Sequence, residues 1–372
     1  MKRILSNLLL VVGASVLAAL VAEAVVRLTL KDEATLFPRY QTDYQYGRYT
    51  LRGIRPHSEF WHTSPDGHWR YVTNNRGFRD TRDFAYGKPA NTRRIMVLGD
   101  SHTQGYEVGQ DATFSAVLER YLRHGNLPTE VINSGVSGFS TAEELVFLEN
   151  EGVKYQPDVV VLGFYANDFE DNFKAGLFQL DGKGQLRDLK YEHIPGVRIQ
   201  NFIYAIPGTQ WLSENSYFYS LLFNTAWAAG KSALRRTAAR SEANQSTQLS
   251  TQQTPEFEYA VATTESISPA QHALALALLE RMQHFCANRG IRLIVVDIPR
   301  QAAPYRTRSS LPAGLIAELT AMGVEIVKSD DLLASVEGAA MLHVPHGHHH
   351  ISEITHAMIG VELGRRIAFA PR

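Results

Sequence analysis

From residue 93 onward, short unbroken apolar runs alternate with segments whose apolar residues recur at helical spacing. The run IMVL in "RRIMVLGD" has the continuous apolar character of a strand buried on both faces. Behind it, "FSAVLERYL" carries an apolar stripe, with Thr113 placed to cap a helix. The alternation repeats with "TEVINSG" as a strand, "STAEELVFLENEG" as a helix opened by Ser/Thr-x-x-Glu, and "PDVVVLGFY" as a second fully apolar strand. After an interruption it resumes. "SPAQHALALALLERMQHFCANRG" predicts a helix from about Pro269 closed by Gly290, and "IRLIVVDIP" and "VEIV" predict strands. "PAGLIAELTAMG" and "SEITHAMIGVELGRRIA" supply the remaining helices. Strand and helix in turn predict an α/β domain with a parallel sheet covered by helices on both faces.

Three regions fall outside this rhythm. Lys2 and Arg3 precede about 19 uncharged residues (4–22), the length that spans a bilayer core. This predicts a single-pass anchor in residues 1–30 of the inner (cell) membrane, with the rest of the chain on the periplasmic side by the positive-inside tendency. The alternative is secretion after cleavage near Ala22, Glu23 and Ala24. Residues 31–92, rich in Tyr, Arg, His and Gly, predict a small β-rich lead-in; "GHWRYVTNN" alternates like a strand ending at a turn. The main domain, 93–372, is interrupted by an insertion at about 173–266. Within it "NSYFYSLLFNTAWAAG" predicts a helix, and "SEANQSTQLSTQQTPE" is too polar to offset its ordering entropy and predicts a mobile loop. The insertion's Trp211, Tyr217, Phe218, Tyr219 and Trp227 form either its own small core or a platform for saccharide rings.

Net charge narrows the partners. With 37 Lys and Arg against 38 Asp and Glu, the chain has no basic excess with which to neutralise phosphates, and nucleic acid is not expected as a ligand. One cysteine, Cys286, excludes an intrachain disulfide and any Cys-rich zinc module.

In open parallel sheets, ligands bind beyond the carboxyl ends of the strands. The first three predicted strands end in "VLGDSHTQG", "INSGVSGFST" and "LGFYANDFEDN", and a fourth segment, "HVPHGHHHIS" at residues 343–352, stands just before the last helix. Ser101 is either a helix cap or a nucleophile in a tight turn that Gly99 permits, in which case a base must lie within hydrogen-bond reach. Gly138 by its N–H, Asn167 by its amide and Ser101 by its own N–H are candidate donors to an oxyanion. The histidine-rich segment holds five of the chain's 14 histidines and suggests either that base or a metal site. His346, His348 and His350 would face one way only in an extended segment, and no metal or other cofactor is expected.

The blocks "GDSHTQG", "NSGVSGFST", "FYAND" and "HHHIS" resemble, in order and spacing, those of the SGNH/GDSL hydrolase family over about residues 93–368. They are most similar to anchored or exported bacterial members in which N-x-x-GFR, here Asn74 or Asn75 through Arg79, precedes the Gly-Asp-Ser block. The resemblance implies a flavodoxin-like three-layer α/β/α sandwich and serine-based ester chemistry. It implies Ser101 as nucleophile, Ser101, Gly138 and Asn167 as the oxyanion hole, and His350 as base, since "HIS" before a helix matches the family's last block. One position departs from the pattern. The family's Asp two or three residues before the base is replaced here by His348 and Gly347, and no Asp or Glu occurs between Glu337 and Glu353. The alternatives are a Ser–His dyad held by a backbone carbonyl or another side chain, a carboxylate arriving from elsewhere, for which Asp168 and Asp171 are candidates, or impaired catalysis; Asp100, Asp168 and His348 are the candidate supporting residues around the base. The expected reaction is ester hydrolysis, of O-acetyl groups on a small molecule or cell-surface polysaccharide, through an acyl-serine. An O-acyltransferase using the same site and a saccharide-binding module without turnover are the alternatives.

Overall fold

The computed structural model describes residues 2–32, 34–38, 40–189, 196–242, 267–303, 305–346 and 349–369. Helix α1 (Lys2–Leu30) leads into two antiparallel hairpins, β1 (Gln41–Tyr46) with β2 (Tyr49–Ile54) and β3 (Glu59–Ser64) with β4 (Gly67–Val72). Next come β5 (Arg93–Gly99), α2 (Ser101–Gln104), α3 (Phe114–His124), β6 (Thr129–Asn133), α4 (Thr141–Asn150), β7 (Val159–Phe164) and α5 (Asp168–Ala175). A small hairpin, β8 (Phe178–Leu180) with β9 (Leu186–Asp188), precedes α6 (Gly196–Tyr204), α7 (Thr209–Asn215) and α8 (Tyr217–Glu242). The chain resumes with α9 (Pro269–Ala287), β10 (Arg292–Asp297), the hairpin β11 (Arg300–Ala303) and β12 (Arg306–Arg308), and α10 (Ala313–Ala321). It finishes with β13 (Glu325–Val327), α11 (Ser329–Leu333) and α12 (Glu353–Ala368).

The central sheet is parallel, in the order β6-β5-β7-β10-β13. In chain order its strands run 2-1-3-4-5, the flavodoxin-like arrangement. Side chains alternate across it. Ile95, Val97, Val159 and Val161 face a core shared with α3 and α12, while Met96, Leu98, Val160 and Leu162 face a core shared with α4, α9 and α10. Every residue of β7 is buried, the continuous apolar run of a two-faced strand. Burying each such side chain contributes about 1.5–3 kcal/mol, and the three-layer α/β/α sandwich follows from covering both faces.

The lead-in is β-rich, and its apolar residues are shared between two clusters. Tyr46, Tyr49, Leu51, Phe78 and Phe84 pack into the cluster of α4 and α9, and Tyr40, Ile54, Phe60 and Tyr71 pack with Tyr106 from the loop after α2. Helix α1 is long and apolar enough to cross a membrane, and among its residues only Val26 is buried. The aromatic-rich part of the insertion is helical, as its pattern predicts, and α8 continues to Glu242. The expected mobile loop lies outside the described residues apart from Ser241 and Glu242. The helices α5, α6 and α7 and the hairpin β8–β9 have no counterpart in the sequence pattern, because elements of three to nine residues span too few periods to show one.

Candidate active site

β5 delivers Ser101 at the carboxyl edge of the sheet. Gly99 makes the turn with φ +151°, and a Cβ there would stand 2.0 Å from Thr103 Oγ1, so only glycine lets α2 start this close to the strand. Asp100 caps α2 by accepting the His102 N–H at 2.8 Å. The next strand end is pinned onto this turn: Val136 N–H donates to Gly99 O, Asn133 Nδ2 to Thr103 O, and Ser137 N–H to Gln104 Oε1. Gly138 follows with φ +79°, and its carbonyl accepts from the Arg52 guanidinium.

His350 reaches this point from the other end of the domain. Its segment is held by Val344 N–H on His350 O, by the bridge between His343 and Ile351, and by Ser352, which caps α12. His350 Nε2 lies 2.8 Å from Ser101 Oγ, and both side chains are buried. His350 Nδ1 lies 3.2 Å from Glu107 Oε2, with side-chain exposures of 3% and 0%. A carboxylate therefore does stand behind His350, the candidate base, and it arrives from the loop that follows Ser101.

The lead-in holds that loop. Arg79, buried beneath it, donates to the carbonyls of Gln104 (2.9 Å), Gly105 and Val108 (2.8 Å). Its guanidinium sits 3.9 Å from the centroid of the Tyr71 ring. The Tyr71 hydroxyl donates to Gly105 O and accepts from Glu107 N–H, both at 3.1 Å. Glu107 has φ +62°, a left-handed conformation that costs an L-residue about 1–2 kcal/mol. The carbonyls of Gly105 and Val108, on either side of Glu107, accept from the Arg79 guanidinium, which holds the loop in this conformation. The N-x-x-GFR pattern gains a physical meaning: Asn74 Oδ1 accepts from Arg76 and Phe78 N–H and folds the turn that sends Arg79 inward.

The other candidates occupy distinct places. Asp168 accepts from Thr141 and Tyr165 N–H, and Asp100 from His102, so neither carboxylate is the one on His350 Nδ1; His348 lies outside the described residues. Asn167 donates through Nδ2 to Asp171 at 3.0 Å and stands against Asp100. Burial pushes the Asp100 carboxyl up to about 7, against the opposing hydrogen bonds from the His102 and Thr103 N–H groups and the Asn167 amide. Two further described histidines of the cluster have partners of their own. His343 meets Pro299 O at 2.9 Å and His346 meets Asp66, while His356, beyond the cluster, accepts from Phe114 N–H. Burial holds His343 down at about 4 and His356 at about 3, and buried His102 is also pushed well below the usual imidazole range. Among the described residues, no three His, Cys, Asp or Glu side chains gather as metal ligands.

Sequence reasoning did not single out Glu107, nor the Tyr71 and Arg79 contacts that hold its loop. The signal was a glutamate in "GYEVG", an otherwise uncharged turn directly after the nucleophile's short helix.

Residues 97–244 match the GDSL-like lipase/acylhydrolase family. A curated relative, an arylesterase of Vibrio mimicus, is 33% identical over 78 residues, covering 21% of this chain; the chain spans 38% of that relative's length. Solved structures with a similar course include a lipase/acylhydrolase from Enterococcus faecalis, at 17% identity, 74% of this chain, 95% of the other and a TM-score of 0.39. Another is an acetylxylan esterase from Geobacillus stearothermophilus, at 12% identity, 75% of this chain, 95% of the other and a TM-score of 0.39. The matched segment, residues 97–244, opens on the strand that delivers Ser101 and runs through Gly138 and Asn167, so the similarity to GDSL-like lipase/acylhydrolases covers the part of the chain that carries these three residues.

Proposed function

We propose that the protein is a membrane-anchored serine esterase that cleaves small acyl esters, O-acetyl groups on saccharides foremost, through an acyl-serine. The observation that carries this reading is Ser101 Oγ at 2.8 Å from His350 Nε2, with Glu107 on the imidazole's other nitrogen. Ser101 Oγ attacks the ester carbonyl carbon as its proton passes to His350 Nε2. The carboxylate of Glu107 holds the ring's orientation and offsets the imidazolium charge. The Ser101 and Gly138 N–H groups receive the oxyanion, joined by the Asn167 amide when one of its two hydrogens turns from its carboxylate partner, Asp100 or Asp171, to the substrate oxygen. As the tetrahedral species collapses, the alkoxide leaves with the proton from His350; water or a sugar hydroxyl then takes the acyl group by the reverse path.

Three features support the finer points. Ser101 is only 6% exposed, and the rings of His102, Tyr106 and Tyr165 crowd the base and its surroundings, which suits a short acyl group. The carboxylate on His350 Nδ1 removes the main reason for a binding-only reading. Retention of α1 is favoured because Glu23, which cleavage after Ala24 would remove, accepts hydrogen bonds from Ser216, Tyr217 and Phe218. The domain then faces the periplasmic side.

A serine-directed fluorophosphonate is expected to label the wild-type chain at Ser101, and Ser101→Ala is expected to lose both labelling and acetyl-ester turnover. Turnover that survives in folded Ser101→Ala overturns the reading. Product analysis on acetylated oligosaccharides, with and without an acceptor oligomer, separates hydrolysis from transfer.

A further inference from the structure

Helix α1 ends against the insertion, and the contact is specific. The Glu23 carboxylate accepts from Ser216 Oγ at 2.7 Å, Phe218 N–H at 2.9 Å and Tyr217 N–H at 3.2 Å, so it occupies the amino end of α8. Arg27 donates to Glu23 at 3.0 Å and to Asn215 O at 2.7 Å, and lies 5.0 Å from the Tyr217 ring centroid. These bonds set the turn between α7 and α8 at the level of Glu23.

That level is a particular depth. Residues 4–22 carry no charge, and at about 1.5 Å per residue they span about 28 Å, close to the thickness of a bilayer's hydrocarbon core. Their side chains are bare: Leu10 is 68% exposed and Leu17 64%. If α1 sits in a membrane, Glu23 lies where the hydrocarbon meets the headgroups, and so does whatever Glu23 holds. Around that turn, large apolar side chains stand in the open on three successive helical elements. Phe202 is 73% exposed and Trp211 64%, with Ile206, Leu221 and Leu222 exposed beside them in the sequence. Apolar display of this kind marks a surface meant for lipid or a partner, and tryptophan concentrates at the membrane–water boundary.

We infer that α6, α7 and the first half of α8 form an interfacial foot that rests in the outer boundary of the same bilayer α1 crosses. The occupant of this surface is lipid. The foot is joined to the catalytic edge through the first hairpin. Asn201 of α6 donates to Thr42 and accepts from Arg55, Gln41 donates to Ser137 O, and Arg52 holds Gly138 O. Seating the foot therefore fixes how the site stands above the membrane. The inference rests on the reading of α1 as a retained anchor, and the test separates the two.

Val12→Cys, Phe202→Cys, Leu222→Cys and Glu280→Cys, each made in the full-length chain, are labelled with an environment-sensitive fluorophore; native Cys286 is buried and labels poorly. Each is placed in phosphatidylcholine/phosphatidylglycerol nanodiscs with and without nitroxide-bearing lipids, and acetyl-ester turnover confirms the fold. At 202 and 222, shallow nitroxides are expected to remove about half of the emission, at 12 deep nitroxides to do the same, and at 280 neither to act. Quenching at 12 with none at 202 and 222 overturns the foot and leaves the anchor standing; if those probes are then also shielded from aqueous iodide, a protein partner covers the surface instead. Absence of quenching at 12 overturns the anchor reading and the foot with it.

Discussion

β5 and the lead-in serve one site with different kinds of support. The strand delivers Ser101 by local means. Ser101 stands two residues beyond Gly99, and strand, turn and helix are fixed by a sheet whose neighbours on both sides are buried. Tyr71 and Arg79 touch neither Ser101 nor His350 by a hydrogen bond. They act through the carbonyls of residues 104, 105 and 108 to hold Glu107, and the turn before β4 adds Asp66, whose carboxylate accepts from His346 N–H at 3.0 and 3.1 Å. Ser101 is placed by the core of the sheet itself. The Glu107 carboxylate behind His350 is placed by a buried cation and a tyrosine that come from outside the sheet. A site assembled this way can lose its acid partner while keeping its nucleophile, and the comparison can be broken at graded points.

Glu107→Gln is expected to have the largest effect. It keeps the size and one acceptor but removes the charge opposite the imidazolium, so kcat for acetyl-ester hydrolysis should fall about a hundredfold to ten-thousandfold with KM little changed. The acid limb of the kcat/KM profile should move to lower pH, and Glu107→Asp should recover part of the rate. An unchanged rate and profile would remove Glu107 from the mechanism. Arg79→Lys comes next: an ammonium on a shorter reach cannot serve three carbonyls at once, so steady-state kinetics should show about a tenfold loss in kcat, with phosphonate labelling of Ser101 retained. Loss of labelling in step with kcat would mean that the lead-in supports the nucleophile as well.

Asp100→Asn tests the strand side by stability. In the fold the carboxyl is pushed up to about 7, so between its unfolded value and that point the folded chain binds the extra proton, and stability falls as pH rises. The asparagine variant should lack this component, about 1.4 kcal/mol per pH unit, when chemical unfolding is followed from pH 4 to pH 7. A slope equal to that of the wild type would refute the assignment. The smallest effect is expected for His346→Ala, whose side chain is 66% exposed and bonds Asp66 at a distance from the base. Stability should change by at most about 1 kcal/mol and kcat hardly at all, in contrast to His350→Ala.

Among the described residues of the histidine segment, His350 is the one that hydrogen-bonds Ser101, and nothing about imidazole chemistry distinguishes it from its neighbours. The order of blocks along the chain picked it out. Behind it, the sequence pointed to Asp100, Asp168 and His348, while the structure puts Glu107 on Nδ1, 243 residues away along the chain. Such a contact has no periodicity and no spacing to betray it.

The sequence by itself determined the strands and their flanking helices, because a strand buried on both faces must be continuously apolar and a covering helix must carry a stripe. It also placed Ser101 at a strand end and marked residues 4–22 as long and apolar enough to cross a membrane. Only the tertiary structure decided which carboxylate serves His350 and what the lead-in is for. Those outcomes depend on Arg79 burying its charge among three carbonyls and on Tyr71 bridging Gly105 and Glu107, contacts between segments that local pattern cannot join.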